Sequence, residues 1–540
     1  MAGLHVVILG AGFAGAVLAR ILRRQGHEVR LLERGVHPRF ALGESSTPLA
    51  AICLERLAAR YGLEDLHHLA AYDRWVRHLP DVRRGLKRGF TFYAHRPGKL
   101  FENNTENANR LLVAASPHDG VADAHWLRQD VDHFLVRQAV AEGVGYLDRV
   151  EVSEVRQRGG AVRLSAVREG RPFEVSADLV VDASGGGGAL AQLFTVPTAL
   201  SRVRLDTGLV FGHFTGVRPF AEAAPAAEFP PGPYPDERAA VHHILAEGWM
   251  YVLPFDHDVV SAGFVIEAGD VWRSLRALPP ERAWRHLLDR YPTLAAQFGE
   301  ARAVQPIGIV PRLQRRLERS AGPNWALLPH GFSFLSPLFS TGIAWSLLGV
   351  ERLALLLEPA AGGGANKVGL EQGLARYATL LEREADHLEE LVGGAYRARH
   401  DFDVFCAYSY LYFAAVSYAE ARQRLLPPPE AVGSWAWDGF AGSSDPVMRD
   451  TVAQAGALLT RLPTRRDPRF AAEYFNIVRR LIAPRNVAGL ADPARRRLYP
   501  VDLEALFAAA PLLGLGPDEI RRALPRLRGT GKGVVEVEAR

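Results

Sequence analysis

The sequence predicts an α/β fold: a largely parallel sheet near the N-terminus, an inserted antiparallel sheet, and a mostly helical C-terminal region. Three observations carry this. Strand-like and helix-like runs alternate through the first third. The run Gly10-Ala-Gly12-Phe-Ala-Gly15 joins a short apolar strand to a helix. From about residue 343 the apolar spacing becomes helical.

With 540 residues, 48% apolar and 23% charged, the chain is long enough for several domains or one elaborated large one. Residues 1–194 read as the first domain, with strands at His5–Leu9, Glu28–Leu32, 161–167 and 179–181 and helices at 14–24 and 130–142; residues 300–360 return to complete it. Residues 195–299 read as the inserted sheet, with strand-like runs at 208–214 and 259–266 around a Pro/Ala/Gly-rich loop at 220–235. Residues 361–540 read as helical, broken near 427–429 and 461–467.

The charge balance of 64 basic against 60 acidic residues leaves a net +4, too even to predict a nucleic-acid partner. Two cysteines, Cys53 and Cys406, make neither a disulfide framework nor a cysteine-based metal site, and no metal is expected. The apolar start lacks a basic leader, and the uncharged run 404–419 is shorter than the roughly 20 residues that cross a bilayer. The expectation is a cytoplasmic protein without a membrane partner. Only four residues of the chain are lysine: Lys87, Lys99, Lys367 and Lys532.

The glycine run has the spacing of a dinucleotide site. Gly10 permits the tight turn, Gly12 lets backbone N–H groups approach a pyrophosphate at the positive helix end, and Gly15 allows helix and sheet to pack closely, with Phe13 and Ala14 in the same turn. Glu33, at the end of the next strand and followed by Arg34, is placed to accept hydrogen bonds from the adenosine ribose. Downstream, Arg128 and Asp132 open a helix, and Leu179-Val-Val-Asp182-Ala-Ser-Gly185 is an apolar strand ending in Asp and Gly. These segments resemble FAD-dependent hydroxylases. The resemblance implies a Rossmann-type FAD-binding domain of the aromatic-hydroxylase (glutathione-reductase-like) class, with Arg128 near the pyrophosphate and Asp182 and Gly185 at the flavin. The runs 185–188 and 362–364 lack the spacing of a second dinucleotide turn, so a dedicated NAD(P)H domain is not expected.

Phe334-Leu-Ser336-Pro337-Leu-Phe339-Ser340-Thr341-Gly342 combines a proline-fixed turn, small residues and a helix start, a geometry that aims N–H groups at an anion or a flavin oxygen. It resembles the FxxPxxSxG motif of the FADH2-dependent halogenases, of phenol/pyrrole type. Gly43-Glu44-Ser45, Lys87-Arg-Gly89 and Gly248-Trp249-Met-Tyr251-Val-Leu253-Pro254 resemble that family's flavin–substrate loop, lysine segment and WxWxIP segment. The likeness spans roughly residues 1–360. It implies FAD working as FADH2, O2, and chloride or bromide held by Thr341 and Gly342, with Pro337, Glu44 and Ser45 at the cofactor. It also implies Lys87 and Ser340 as catalytic residues, and Trp249, Tyr251, Pro254 and Phe339 as the substrate wall. The reaction implied is electrophilic halogenation through a flavin C4a-hydroperoxide and hypohalous acid, in secondary-metabolite biosynthesis. A separate NAD(P)H-dependent flavin reductase and a small aromatic substrate, free or on a carrier protein, are the implied partners. Lysine suits the task because burial brings its deprotonation within reach, whereas arginine stays charged.

The sequence also departs from that family. Tyr251 and Leu253 replace Trp and Ile of WxWxIP, Phe339 stands where tryptophan halogenases carry glutamate, and Leu328-Pro-His330-Gly331 replaces the Gly-Asp of flavin hydroxylases. The missing glutamate points to a phenol or pyrrole rather than tryptophan. An FAD-dependent monooxygenase of the same fold is the alternative, and a flavoprotein without turnover or an isoprenoid-saturating reductase is a third class. The aromatics Phe402, Phe405, Tyr408, Tyr410, Tyr412, Phe413 and Tyr418 read as core or as a cavity cover, and the arginine-rich stretch 485–497 as a solvated surface or a dock for an acidic carrier.

Overall fold

The computed structural model describes residues 3–158, 160–358, 367–430 and 433–527. The expected boundary at 360/361 and Lys532 lie outside them.

The elements follow from local sequence. β1 (His5–Leu9) is apolar after its first residue, as suits a strand covered on both faces. α1 (Phe13–Arg24) starts directly after Gly12 and ends in Arg23 and Arg24, which complement the negative helix end. β2 (Glu28–Leu32) follows, then α2 (Pro48–Tyr61), which opens on a proline and stops at Gly62 with φ +66°. Next come β3 (Arg84–Lys87), β4 (Gly89–Ala94), β5 (Arg110–Ala114), β6 (Asp123–Trp126), α3 (Arg128–Ala141), β7 (Gly145–Leu147) and β8 (Leu179–Asp182). β9 (Thr207–Thr215), β10 (Ala240–Ile244), β11 (Gly248–Pro254), β12 (Val260–Glu267) and β13 (Trp325–Leu327) complete the middle of the chain. The rest is α4 (Gly342–Leu357), α5 (Lys367–Ala398), α6 (Phe402–Leu425), shorter helices, and β14 (Leu498–Tyr499).

β13, β8, β1, β2 and β7 form a parallel sheet, with 321–322 as an antiparallel edge. Leu9, Leu32 and Asp182 therefore end at one rim, where open α/β sheets bind ligands. The run near 161–167 does not join this sheet. It is the centre of an antiparallel ribbon, Val150–Arg158, Ala161–Arg168 and Arg171–Ala177, and its alternating burial reflects one covered face.

The second sheet has nine strands and reaches well beyond residues 195–299. Its order is β9-β12-β11-β10-β4-β5-β14, with 302–303 and 308–310 pairing on β9. It is mixed rather than purely antiparallel, since β10–β4 and β5–β14 run parallel. β4 is buried along nearly all its length, so it lacks the alternation that marks a half-exposed strand, and β14 is two residues long.

The apolar window Leu338–Leu357 is long enough to cross a membrane, but 83% of it is buried inside the fold, as in a core helix. α4 packs on α1 and α2, and a wholly buried ion pair fixes it to α5: Arg352 donates to both Glu384 oxygens at 2.7 and 2.5 Å and to the Ala436 carbonyl at 2.6 Å. α6 packs on α2 and lays Phe405 and Phe413 over Phe92 and Phe90 of β4, at ring separations of 5.6 and 5.4 Å.

Candidate functional site

The rim of the parallel sheet gathers the nucleotide residues. Gly10 adopts φ +98°, and a Cβ there would lie 2.7 Å from the Ser184 backbone; one on Gly15 would lie 2.1 Å from the Gly10 carbonyl. The open face of Gly12 looks instead at charged side chains: a Cβ would stand 3.4 Å from the Arg128 guanidinium, 3.6 Å from the Asp132 carboxylate paired with it, and 4.0 Å from the Arg39 guanidinium. The Gly12 and Ala14 N–H groups have no acceptor among the described residues. Free donors, a helix N-terminus and two guanidinium groups fit a pyrophosphate. Asp132 accepts from Arg128 at 2.9 and 2.8 Å and from the Phe13 N–H at 3.1 Å, so it aims the arginine and fixes the turn. Glu33 accepts from the Ala11 and Gly35 N–H groups at 2.9 and 2.7 Å and from Arg39 at 3.0 Å. Burial alone would raise its carboxyl, but Arg39 and the two amides hold it below the ordinary range.

Other predicted residues are committed elsewhere. The Asp182 carboxylate turns inward to accept from the Ser184 N–H and hydroxyl and the Leu190 N–H, capping the turn through Gly185, which has φ +59°. Arg34 is exposed beyond β2. Lys99 is also exposed, as a solvated lysine should be.

Lys87 is fully buried at the end of β3, directly across from Asp123 of β6. Its ammonium donates to the Ser46 carbonyl and lies 4.2 Å from the Phe90 ring centre. Burial drives the amine well down toward its uncharged form, opposed in part by Asp123. Ser340 Oγ donates to Ser45 Oγ at 3.0 Å, so the lysine and the motif serine meet the same Ser45–Ser46 dipeptide. The preceding Glu44 is buried and accepts from His213 Nε2 at 2.8 Å and Ser261 Oγ at 2.6 Å, tying this loop to β9 and β12.

The turn after Pro337 holds two successive residues in the left-handed region, Phe339 (φ 66°) and Ser340 (φ 55°). Side chains other than glycine resist this conformation, and α6 enforces it here: the Tyr412 hydroxyl donates to the Phe339 carbonyl at 2.8 Å, and its ring stacks on Phe339 at 4.5 Å. The Thr341 and Gly342 N–H groups that follow, at the start of α4, have no acceptor among the described residues, which leaves two donors free for an anion. A Cβ on Gly342 would lie 2.6 Å from His330, whose pKa is pushed down to about 3 by burial, then by Arg315 and Arg128.

On β11, Trp249 Nε1 donates to the Tyr396 hydroxyl at 2.7 Å, which also bonds Ser336 Oγ at 2.8 Å. Trp249 is thus coupled to the 334–342 turn through α5. Tyr251 is buried against Gly263, and the Pro254 carbonyl fills the space a Cβ on Gly85 would need. Tyr396, Asp123, Arg39 and His213 belong to no motif. Pairing across distant strands brings Asp123 and His213 to the site, and only the docking of α5 brings Tyr396. The cations of 485–497 are largely used internally: Arg485 pairs with Asp445, Arg495 with Asp502, Arg496 with Glu106 and Arg497 with Asp403. Of the seven C-terminal aromatics, six are buried and Tyr418 half-buried.

Over 347 residues the chain is 30% identical to the tetracycline 7-halogenase of Kitasatospora aureofaciens; the match covers 63% of this chain and 60% of that protein, so it spans less than two thirds of that relative. Over 412 residues it is 26% identical to the monodechloroaminopyrrolnitrin halogenase PrnC of Pseudomonas fluorescens, covering 75% of this chain and 70% of the other. The crystal structure of halogenase PltM in complex with phloroglucinol and FAD has the same fold, with a TM-score of 0.78 at 22% identity, over 92% of this chain and 99% of that one. The family model for FAD-dependent oxidoreductases matches residues 5–321, the stretch that holds the glycine turn and every strand of the parallel sheet but β13. The chain belongs to the FAD-dependent oxidoreductase family.

Proposed function

We propose that the protein is a flavin-dependent halogenase that chlorinates or brominates an electron-rich aromatic of phenol or pyrrole type. The observation that carries this reading is a buried lysine amine and the Ser340 hydroxyl meeting at the Ser45–Ser46 dipeptide, with the unpaired Thr341 and Gly342 N–H groups following Ser340 in the same turn. Reduced FAD bound at the glycine turn supplies, with O2 and halide, an oxidised halogen equivalent at the level of hypohalous acid. The Thr341 and Gly342 N–H groups hold the halide. Lys87, buried and readily neutral, hydrogen-bonds the oxidised halogen or carries it on Nζ to the ring. The packed wall of Phe90, Phe92, Phe339, Tyr412 and Trp249 keeps water from consuming that species. Phe339 offers no carboxylate to draw a proton from the ring, so the substrate's own hydroxyl or ring nitrogen must activate it. Two relatives, a tetracycline 7-halogenase and a halogenase crystallised with phloroglucinol, support phenols. Electrons come from a separate NAD(P)H-dependent flavin reductase.

The test incubates purified protein with such a reductase, NADH, FAD, bromide or chloride, and a panel of phenols and pyrroles, read by product mass. Gain of halogen supports the proposal; gain of oxygen alone across the panel replaces it with a monooxygenase. Lys87→Met is expected to retain FAD and oxidise its reduced form while losing carbon–halogen bond formation, and a halogenating variant would clear the lysine of this role.

A further inference from the structure

Asp123 is 5% exposed, its Oδ2 is buried with no hydrogen-bond partner, and it belongs to none of the sequence motifs. A bare carboxylate oxygen in such a place is costly and calls for a reason. β3 and β6 set it directly across from Lys87. We propose that Asp123 takes up the proton that the Lys87 ammonium must give away, which makes it the positioning residue for the lysine's charge state. This rests on the halogenase reading for its purpose, though not for its test.

Lys87 Nζ donates to the Ser46 carbonyl and makes no hydrogen bond or ion pair with Asp123, so in the step the side chain first turns from Ser46 to the carboxylate; one N–H bond of the ammonium then breaks, its electron pair stays on Nζ, and the proton forms an O–H bond with Oδ2. The pair is neutral in sum before and after, so no net charge enters or leaves the low-dielectric interior. The lysine becomes a free amine without proton exchange with bulk water.

The other groups facing the pair are poorer acceptors. His125 of β6 and His242 of β10 have pKa values pushed down to about 3, chiefly by burial, with Lys87 adding to it. The Tyr412 hydroxyl of α6 is spent on the Phe339 carbonyl, and burial holds it protonated. Ser46 offers only a carbonyl. Beyond Asp123 stand Glu55 of α2 and Glu420 and Arg424 of α6, joined by ion pairs of 3.5 and 2.9 Å. Burial favours a protonated Asp123, Lys87 and Arg424 oppose it, and Glu420 and Glu55, the latter also paired with Arg74, add to it.

Because the chain has only four lysines, ε-13C-lysine labelling gives few signals, and Lys87→Arg assigns the relevant one. The test titrates the FAD-loaded protein by NMR and compares wild type with Asp123→Asn and Asp123→Glu. Asparagine is expected to lower the Lys87 midpoint by at least about one pH unit, a tenfold change in its proton affinity. Glutamate is expected to restore most of it. In turnover, asparagine is expected to lower halogenated product per flavin oxidised about tenfold, and to move the pH at which that yield peaks, with FAD content unchanged. An unmoved Lys87 midpoint in Asp123→Asn overturns the inference. If wild type yields no halogenated product, the halogenase reading falls while the NMR titration still decides the link between the two residues.

Discussion

Tyr396→Phe isolates the bridge between Trp249 of β11 and the 334–342 turn. The phenol is buried and its hydroxyl serves two groups, Trp249 Nε1 at 2.7 Å and Ser336 Oγ at 2.8 Å. Phenylalanine keeps the ring and removes only the oxygen. The indole N–H, at 1% exposure, is then left with no acceptor, which costs about 1–3 kcal/mol. Ser336 keeps the Leu338 N–H at 3.2 Å and loses one ordinary bond, about 1 kcal/mol. The sum is about 2–4 kcal/mol. At this chain length it shifts the melting temperature by only about 2–4 °C, so urea titration is the better assay. A double-mutant cycle with Ser336→Ala separates the bridge from general packing, with an expected coupling of about 0.5–1.5 kcal/mol. Halogenated product is expected to fall while bound FAD stays constant. A destabilisation below about 0.5 kcal/mol, or strict additivity with Ser336→Ala, refutes the reasoning.

Three further outcomes follow from the geometry. Gly12→Val puts methyl groups over the face that looks at Arg128 and Arg39, and flavin retained after gel filtration is expected to drop to background. Glu384→Ala strands Arg352 at a site with no solvent, at a cost of about 3–5 kcal/mol in denaturant titration, while Glu384→Leu with Arg352→Met recovers only part of it, because the buried Trp345 Nε1 and Phe440 N–H donors stay without Glu384. Glu33 has a folded pKa below its ordinary 4.5, so its stabilisation is complete above that value and is lost as pH falls through the lower folded one. The stability gap between wild type and Glu33→Gln, measured by urea titration of FAD-free protein, is therefore expected to close on acidification and to stay constant from pH 6 upward.

What the sequence disclosed was what is local along it. The glycine turn and Glu33 sit within one strand–helix–strand unit, and the residues of 334–342 are contiguous, so their spacing carries their geometry. Lys87 stood out because the chain otherwise uses arginine. Asp123 is the opposite case: nothing beside it in sequence marks it, and its meaning comes from the β3–β6 register. Tyr396 looks like any tyrosine on a long helix until α5 docks. The extent of the second sheet was hidden for a related reason, since β4 is buried almost throughout and β14 contributes only Leu498 and Tyr499. Asp182 shows the converse, a residue whose motif directs it at a ligand and whose carboxylate is consumed by its own turn.

The placement of α6 and β14 bears on how this protein can be cut or recombined. β14 pairs with the β5 edge of the second sheet, and α6 supplies the stack on Phe339 and the hydroxyl that holds its carbonyl. α6 and β14 are thus no part of a detachable module. Truncation before α6 is expected to bare a strand edge open to intermolecular pairing and to release the turn that carries the Thr341 and Gly342 N–H groups. Swapping substrate preference between relatives calls for exchanging α6 together with the β4–β5 hairpin it covers, as one unit.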